Sequence, residues 1–300
     1  MSTQTILVTG SSSGFGFLLT QRLLTQGYTV FATMRQLEGY NAEPAGQLRR
    51  YAQDQPGSLH LLELDVTDES SVTAAVDQVL QQAGRLDVVI NNAGIGGGGY
   101  TEAFSVAQFQ QTFDVNVFAI QRMMRAVLPA MRTQRSGLII TISSLQGRIV
   151  IPFAGAYTAS KFAVEGLCES YHYELAPSGV DVVIVEPGGF PTDYWSKMMK
   201  PADQARTDGY APDGDLPDQL WNGVKANLQS QQAPDAQVLV SAVLQLIETP
   251  VGQRPLRTVV DPLMGGGAPT AVNQTTEPIQ RELLQALGLG ERITVQGAGH

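Results

Sequence analysis

Val8-Thr9-Gly10-Ser11-Ser12-Ser13-Gly14-Phe15-Gly16, running straight into Phe17-Leu18-Leu19, decides how the rest of this 300-residue chain reads. An apolar run at 5–9 ends in a glycine-rich turn, and the turn ends in a helical pattern over 16–26. Such a turn lets backbone N–H groups approach a pyrophosphate, and the helix N-terminus behind it adds a dipole that favours negative charge. Three glycines alone equally suit a flexible turn. Their weight comes from standing between the first strand and the first helix.

Outward from that turn, short apolar runs at 5–9, 29–33, 59–64, 88–91, 138–142, 180–186 and 258–260 alternate with amphipathic segments at 16–26, 45–53, 70–83, 105–132 and 156–175. The alternation predicts βα units feeding one α/β domain over 1–300: a Rossmann-type, doubly wound, mainly seven-stranded parallel sheet with helices on both faces. After Pro187 the rhythm weakens. Residues 191–217 are rich in Pro, Gly and Asp, helices resume at 216–229 and 235–247, and 261–278 reads as a long loop. The segment 190–230 is the expected substrate lid, and 261–300 the expected loop and C-terminal extension.

Composition narrows the partners. A formal net charge of -9 argues against nucleic acid or an anionic membrane, whose phosphates call for clustered Lys and Arg. No apolar run approaches the ~20 residues that cross a bilayer, and Met-Ser-Thr-Gln leads into the first strand without a basic leader. The single cysteine, Cys168, excludes an intrachain disulfide and suits a reducing compartment, so a cytoplasmic location is expected. His60, His172 and His300 are scattered, with no metal-ligand spacing around them, and no metal is expected.

Tyr157 and Lys161, in Ala156-Tyr157-Thr158-Ala159-Ser160-Lys161, stand four apart, a spacing that stacks two side chains on one helix face. An unperturbed phenol titrates near pH ~10, and a fixed positive neighbour stabilises its phenolate and lowers that value. The pair therefore reads as a tuned proton donor, or more plainly as a Tyr packed on a Lys stem. Random placement of 9 Tyr and four Lys in 300 residues gives about 0.12 such pairs, which disfavours coincidence.

The spacing T-G-x-x-x-G-x-G from Thr9 to Gly16, then Asn91-Asn92-Ala93-Gly94, then Tyr157-x-x-x-Lys161, then Pro187-Gly188, resembles the short-chain dehydrogenase/reductase family in its compact single-domain branch. These motifs run in family order from Thr9 to about Thr192. The resemblance implies an NAD(P)-dependent oxidoreductase that interconverts an alcohol with its ketone or aldehyde. It makes Tyr157 the catalytic acid/base and Lys161 the group that lowers its pKa and holds the nicotinamide ribose. Ser144, 13 residues before Tyr157, matches the hydroxyl that hydrogen-bonds the substrate oxygen; Ser143 is its rival, since consecutive strand side chains face opposite ways. Asn116, in Asp114-Val115-Asn116-Val117, matches the residue whose side chain helps hold a water connecting Lys161 to solvent.

The same resemblance assigns the cofactor to Gly10, Ser12, Ser13, Gly14, Phe15 and Gly16 at the turn, and to Asp65 and Val66 at adenine. Asn92, Ala93 and Gly94 follow beyond the fourth strand, with Asn91 steadying the sheet there, and Pro187, Gly188 and Thr192 receive the nicotinamide end. At the end of the second strand, Ala32-Thr33-Met34-Arg35 has no carboxylate for a free ribose and carries Arg35 just beyond. NADP(H) is therefore the expected cofactor, with Ser12 or Ser13 adding a bond to its 2′-phosphate and NAD(H) the second possibility. Phe15, Phe118-Ala119 and Gly189-Phe190-Pro191 depart from the usual family pattern. Phe153, Phe190, Trp195, Met198 and Met199 are candidates for an apolar pocket, and the expected partner is a small, hydrophobic carbonyl or alcohol substrate. Helices 105–132 and 156–175 resemble the pair through which family members form homodimers or homotetramers. A dinucleotide-binding sensor without turnover, and a relative that epimerises or dehydrates, remain the alternatives.

Overall fold

Seven strands, β1 (Thr5–Val8), β2 (Thr29–Met34), β3 (Ser58–Glu63), β4 (Val88–Asn91), β5 (Gly137–Ile142), β6 (Val180–Pro187) and β7 (Arg257–Val260), pair in parallel in the order β3-β2-β1-β4-β5-β6-β7. The computed structural model describes residues 4–295; the chain's first three residues and its last five, His300 and the end of the expected extension among them, lie outside the described residues. The fold is the expected doubly wound one. Helices α1 (Gly14–Thr25), α2 (Ala42–Ala52), α3 (Glu69–Ala83), α4 (Val106–Phe113), α5 (Ala119–Gln134), α6 (Gly155–Leu175), α7 (Gln204–Asp208), α8 (Leu216–Leu228), α9 (Gln237–Glu248) and α10 (Gly267–Ala286) follow in chain order.

The central strands are near-continuous apolar runs because both faces are covered. Along β6, Val180, Val182 and Ile184 pack into one layer with Val72, Val76, Met124, Val127 and Val164 from α3, α5 and α6. Val183 and Val185 face the other layer, with Leu19, Leu23, Leu48, Leu239 and Val243 from α1, α2 and α9. The strand order reverses between β1 and β4, which opens a crevice at their carboxyl ends. The register Val8↔Ile90 puts Thr9-Gly10 beside Asn91-Asn92 there. Among the described residues, no helix is long and apolar enough to cross a membrane.

Two expectations need correction. The helix expected over 105–132 is interrupted by a π turn, Asp114–Phe118, between α4 and α5. The inserted residue turns Asn116 inward, where its amide makes three hydrogen bonds. The loop expected over 261–278 gives way to α10, which starts after Gly266 in the left-handed conformation (φ 63) and contains Pro278. Its first turns carry little apolar periodicity. They are held by polar contacts instead, Asn273 Nδ2 donating to Glu186 (2.8 Å) and Arg148 donating to Thr276 Oγ1 (2.8 Å).

Candidate active site

The glycine turn is clasped from β4. The Asn92 side-chain amide donates to the carbonyls of Thr9 (2.9 Å) and Gly10 (3.1 Å), while Thr9 Oγ1 accepts the N–H groups of Asn92 (3.0 Å) and Ala93 (3.1 Å). Gly10 and Gly14 take positive φ (69 and 55), and a Cβ on Gly16 would collide with the Gly10 carbonyl and the Asn92 amide. Only glycine therefore allows this approach. Asn91 instead donates weakly to Thr141 Oγ1 (3.4 Å), so Asn92 is the residue that steadies the turn. The N-cap Ser13 makes no capping bond and the first turn of α1 has no acidic residue. The first N–H groups of α1 border a groove whose polar lining is Ser12, Ser13, Gln47, Thr192 and Asp193; its backbone and hydroxyl donors fit a pyrophosphate, and the Asp193 carboxylate is offset by Lys197 at 3.8 Å. The Phe15 ring packs edge-on against Phe190 (5.3 Å), which joins the first of the departures from the usual pattern to the third, and Phe118 is exposed.

Arg35 reaches past β2 with 66% of its side chain exposed and stands 3.8 Å from Asp65. Asp65 Oδ1 is occupied by the N–H (2.9 Å) and hydroxyl (2.7 Å) of Thr67. The Val66 side chain lies in the core, and its carbonyl accepts from Arg122 (3.3 Å).

Tyr157 and Lys161 both face the sheet from α6 and both are buried. Burial holds the Tyr157 phenol above its ordinary value, while the nearby Ser144 and Tyr194 hydroxyls act in the opposite direction. Lys161 Nζ donates to the Ile142 carbonyl (2.9 Å) and lies 5.7 Å from the Tyr157 ring centre. Burial pulls it down to about 8, against the attraction of Glu165 one helical turn on. The expected lowering of the phenol by Lys161 is thus not the dominant effect in this site. Ser144 Oγ, which accepts from the Gln146 N–H (3.1 Å), stands at Tyr157; the Ser143 hydroxyl is buried on the opposite face near Glu165.

Asn116 works as a clasp. Its amide donates to the Ile95 carbonyl (2.9 Å) and Ser160 Oγ (2.9 Å), and its Oδ1 accepts the Ile95 N–H (2.9 Å), beside Gly94. Both amide hydrogens are used, which leaves one acceptor position on Oδ1 as the side chain's remaining hydrogen-bonding capacity. Ser160 Oγ passes on to the Tyr157 carbonyl (2.7 Å), which ties the π turn to the helix that carries the phenol.

At the other wall, the Gly188 N–H donates to Val260 (2.9 Å) at the end of β7, and beyond Pro187 and Gly188 the chain returns so that Thr192 faces Gly14. Lys197 Nζ donates to Ser13 Oγ (2.9 Å) and lies 3.8 Å from Asp193, closing the groove over the turn. Of the expected pocket residues, Phe190 is buried, Trp195 Nε1 donates to its carbonyl (2.7 Å), and Phe153 holds a positive φ of 66 while its carbonyl accepts from Gly99 N–H (2.9 Å) and Trp221 Nε1 (3.2 Å). Tyr100, Tyr210 and Trp221 complete an aromatic wall that sequence spacing did not reveal. Tyr194 and Lys197 were also missed. Lysine's scarcity in an acidic chain was the one signal for Lys197; Tyr194 had none, since its place depends on how the loop returns.

Known proteins carry the same arrangement of sequence and fold. The family model described as short chain dehydrogenase matches residues 4–203. A 3-ketodihydrosphingosine reductase from Bacteroides thetaiotaomicron is 41% identical over 194 residues, which is 65% of this chain and 66% of the relative. A 17-beta-hydroxysteroid dehydrogenase type 1 from Mus musculus is 40% identical over 202 residues, 66% of this chain and 58% of the relative. The chain thus spans roughly three-fifths to two-thirds of these relatives. The crystal structure of a short-chain dehydrogenase from Streptomyces avermitilis superposes with a TM-score of 0.74 at 30% identity, covering 96% of this chain and 99% of that one. A family match over most of the chain, together with the parallel sheet and the clasped glycine turn, places it in the short-chain dehydrogenase/reductase family of NAD(P)-dependent oxidoreductases.

Proposed function

We propose that this protein interconverts a hydrophobic alcohol with its ketone or aldehyde using NADP(H), with Tyr157 as the acid/base. The observation that carries the reading is the meeting of Ser144, Tyr157 and Lys161 beside the crevice where the glycine turn opens. A nicotinamide cofactor, when bound, supplies or takes the hydride. In reduction, Tyr157 gives its phenolic proton to the carbonyl oxygen while Ser144 donates a hydrogen bond to the same oxygen, stabilising the charge that gathers on it. Lys161, pulled down to about 8, exchanges protons near neutral pH and supports the phenolate left behind. In oxidation the proton runs back from the alcohol to Tyr157.

The preference for NADP(H) is supported by Arg35, an exposed cation at the end of β2 that pairs only loosely, at 3.8 Å, with Oδ2 of Asp65. The hydrophobic substrate class is supported by the wall of Phe153, Trp195, Tyr100, Tyr210 and Trp221, under which we read 190–230 as the lid. The two relatives' names point the same way, one reducing 3-ketodihydrosphingosine and the other acting on 17-beta-hydroxysteroids. Exposed Phe118 and Phe162, on the π turn and on α6, support a homodimer or homotetramer through that face. A cytoplasmic location is proposed with it, on the acidic charge and the buried, unpaired Cys168. The test is a panel of aliphatic, polycyclic and aromatic carbonyls followed by NADPH absorbance. Turnover of bulky apolar ketones is expected. Cofactor binding with no turnover would mark a sensor and overturn the reading.

A further inference from the structure

Beyond Ile95, which Asn116 holds, the chain runs through four glycines at 96–99. The segment 194–201 lies directly on them. Met199 pairs with the run as a strand would, its N–H donating to the Gly96 carbonyl (2.8 Å) and its carbonyl accepting the Gly98 N–H (3.0 Å). Side chains would forbid this contact. A Cβ on Gly96 would collide with the Tyr194 phenol, one on Gly98 would stand 2.7 Å from Met198 Cε and 2.8 Å from Trp221 Cδ1 and Nε1, and one on Gly99 would run into the Pro201 ring. The Phe153 carbonyl joins the parts. It accepts from the Gly99 N–H (2.9 Å) and from Trp221 Nε1 (3.2 Å), just before the start of α6, the helix that carries Tyr157. Aromatic rings continue from there to the site: Trp221 stands 6.2 Å from Trp195, Trp195 5.4 Å from Tyr194, and Tyr194 5.7 Å from Tyr157.

Closure onto bare backbone brings Met198 and Trp221 one methyl's depth nearer the run than any other residue at 98 would permit. We propose that the glycine run is a size filter: the depth to which the lid settles on 96–99 sets how bulky a molecule fits between the lid and Tyr157. This rests on the reading of 190–230 as a lid over a hydrophobic carbonyl site. A lid raised by one methyl makes room for a larger ketone, while a small ketone loses contact with the aromatic wall.

Trp195 and Trp221 are the chain's 2 tryptophans and both belong to the lid, so tryptophan fluorescence reads its seating. Lys197, Lys200 and Arg206 offer trypsin a second reading. Gly98 lies outside the left-handed region, so alanine there strains the contact and not the backbone. Met198 Cε, the end of a flexible chain, moves aside cheaply; the buried, rigid Trp221 indole gives up its bond to Phe153. Gly98→Ala should therefore raise acrylamide quenching and quicken lid cleavage about 2- to 12-fold, the net worth of one hydrogen bond. Protein saturated with NADP⁺, which cannot reduce a ketone, is then titrated with cyclohexanone and with 2-decalone by fluorescence. The variant should shift the ratio of half-saturating concentrations about 4-fold in favour of 2-decalone, the worth of one buried CH₂. Gly96→Ala, whose Cβ meets the Tyr194 phenol, should act in the same direction. Gly223→Ala, in α8 of the same lid, places its Cβ in open space and should raise none of the readouts. Unmoved quenching and cleavage in both run variants overturn the proposal, as does a raised lid with an unchanged or reversed ketone ratio. Equal effects of Gly223→Ala, or binding of neither ketone, overturn it as well. Wild-type protein that binds ketones with the expected shift in the variant yet reduces none with NADPH would instead overturn the acid/base reading alone.

Discussion

At the residue scale, two neutralising tendencies meet at Tyr157 and Lys161. Burial raises the phenol and lowers the ammonium to about 8, while Glu165 pulls the ammonium the other way. Lys161 is therefore cationic at neutral pH and loses its charge as pH rises through about 8. Ketone reduction should follow, with kcat/KM level near neutrality and falling above that point. Glu165→Gln removes the charge that props the ammonium up, so a pH–rate profile should place the falling limb at lower pH than in wild type. Tyr157→Phe keeps the ring but removes the exchangeable proton; NADPH binding measured by fluorescence should survive while turnover falls by about 10²–10⁴. Arg35→Asp should exchange a phosphate contact for a ribose acceptor and raise the NADH-to-NADPH ratio of kcat/KM. Equal efficiency of the wild type with both cofactors would sink that argument.

At the element scale, the π turn Asp114–Phe118 is where the helical pattern and the site conflict. A regular helix would keep Asn116 in register with its neighbours. One inserted residue swings it into the gap between Ile95 and Ser160, and such bulges concentrate at functional positions for this reason. Asn116→Ala would leave the Ile95 N–H and carbonyl and the Ser160 hydroxyl short of partners, at about 1–3 kcal/mol for each buried group that water does not reach. Urea unfolding should register the loss, and turnover should fall with it because Ser160 also holds the Tyr157 carbonyl. A variant as stable as wild type would remove the clasp from the account. The helix α10 teaches the complementary point: Asn273 and Thr276 fix it to Glu186 and Arg148, and polar contacts leave no period in the sequence.

At the scale of the whole molecule, a buried ionic cluster sits one layer behind the site. Arg257, from β7, meets Glu165 (2.9 Å) and Glu169 (2.5 Å) on α6 and lies 3.5 Å from Glu186 on β6. Burial and the nearby Glu165 push the Glu186 carboxyl up to about 7. The folded state thus holds that proton more tightly than the unfolded chain. The stability it contributes is present below the ordinary carboxylate range and is lost as pH rises through about 7. Relative to wild type, Glu186→Gln should gain melting temperature between pH 5 and pH 8, and a difference that stays flat would refute the assignment. Much of the molecule was legible beforehand, because periodicity, glycine spacing and the Tyr157–Lys161 interval are local consequences of backbone geometry. Those local rules determined the parallel sheet and the glycine turn between its first strand and first helix. Only the tertiary structure put Ser143 beside Glu165, brought Asn92 across to the glycine turn, let burial govern Tyr157, and carried Tyr194 from a distant loop beside the Tyr157 ring. Each of these depends on desolvation or on contacts between segments far apart in the chain, and neither is written in the spacing of neighbouring residues.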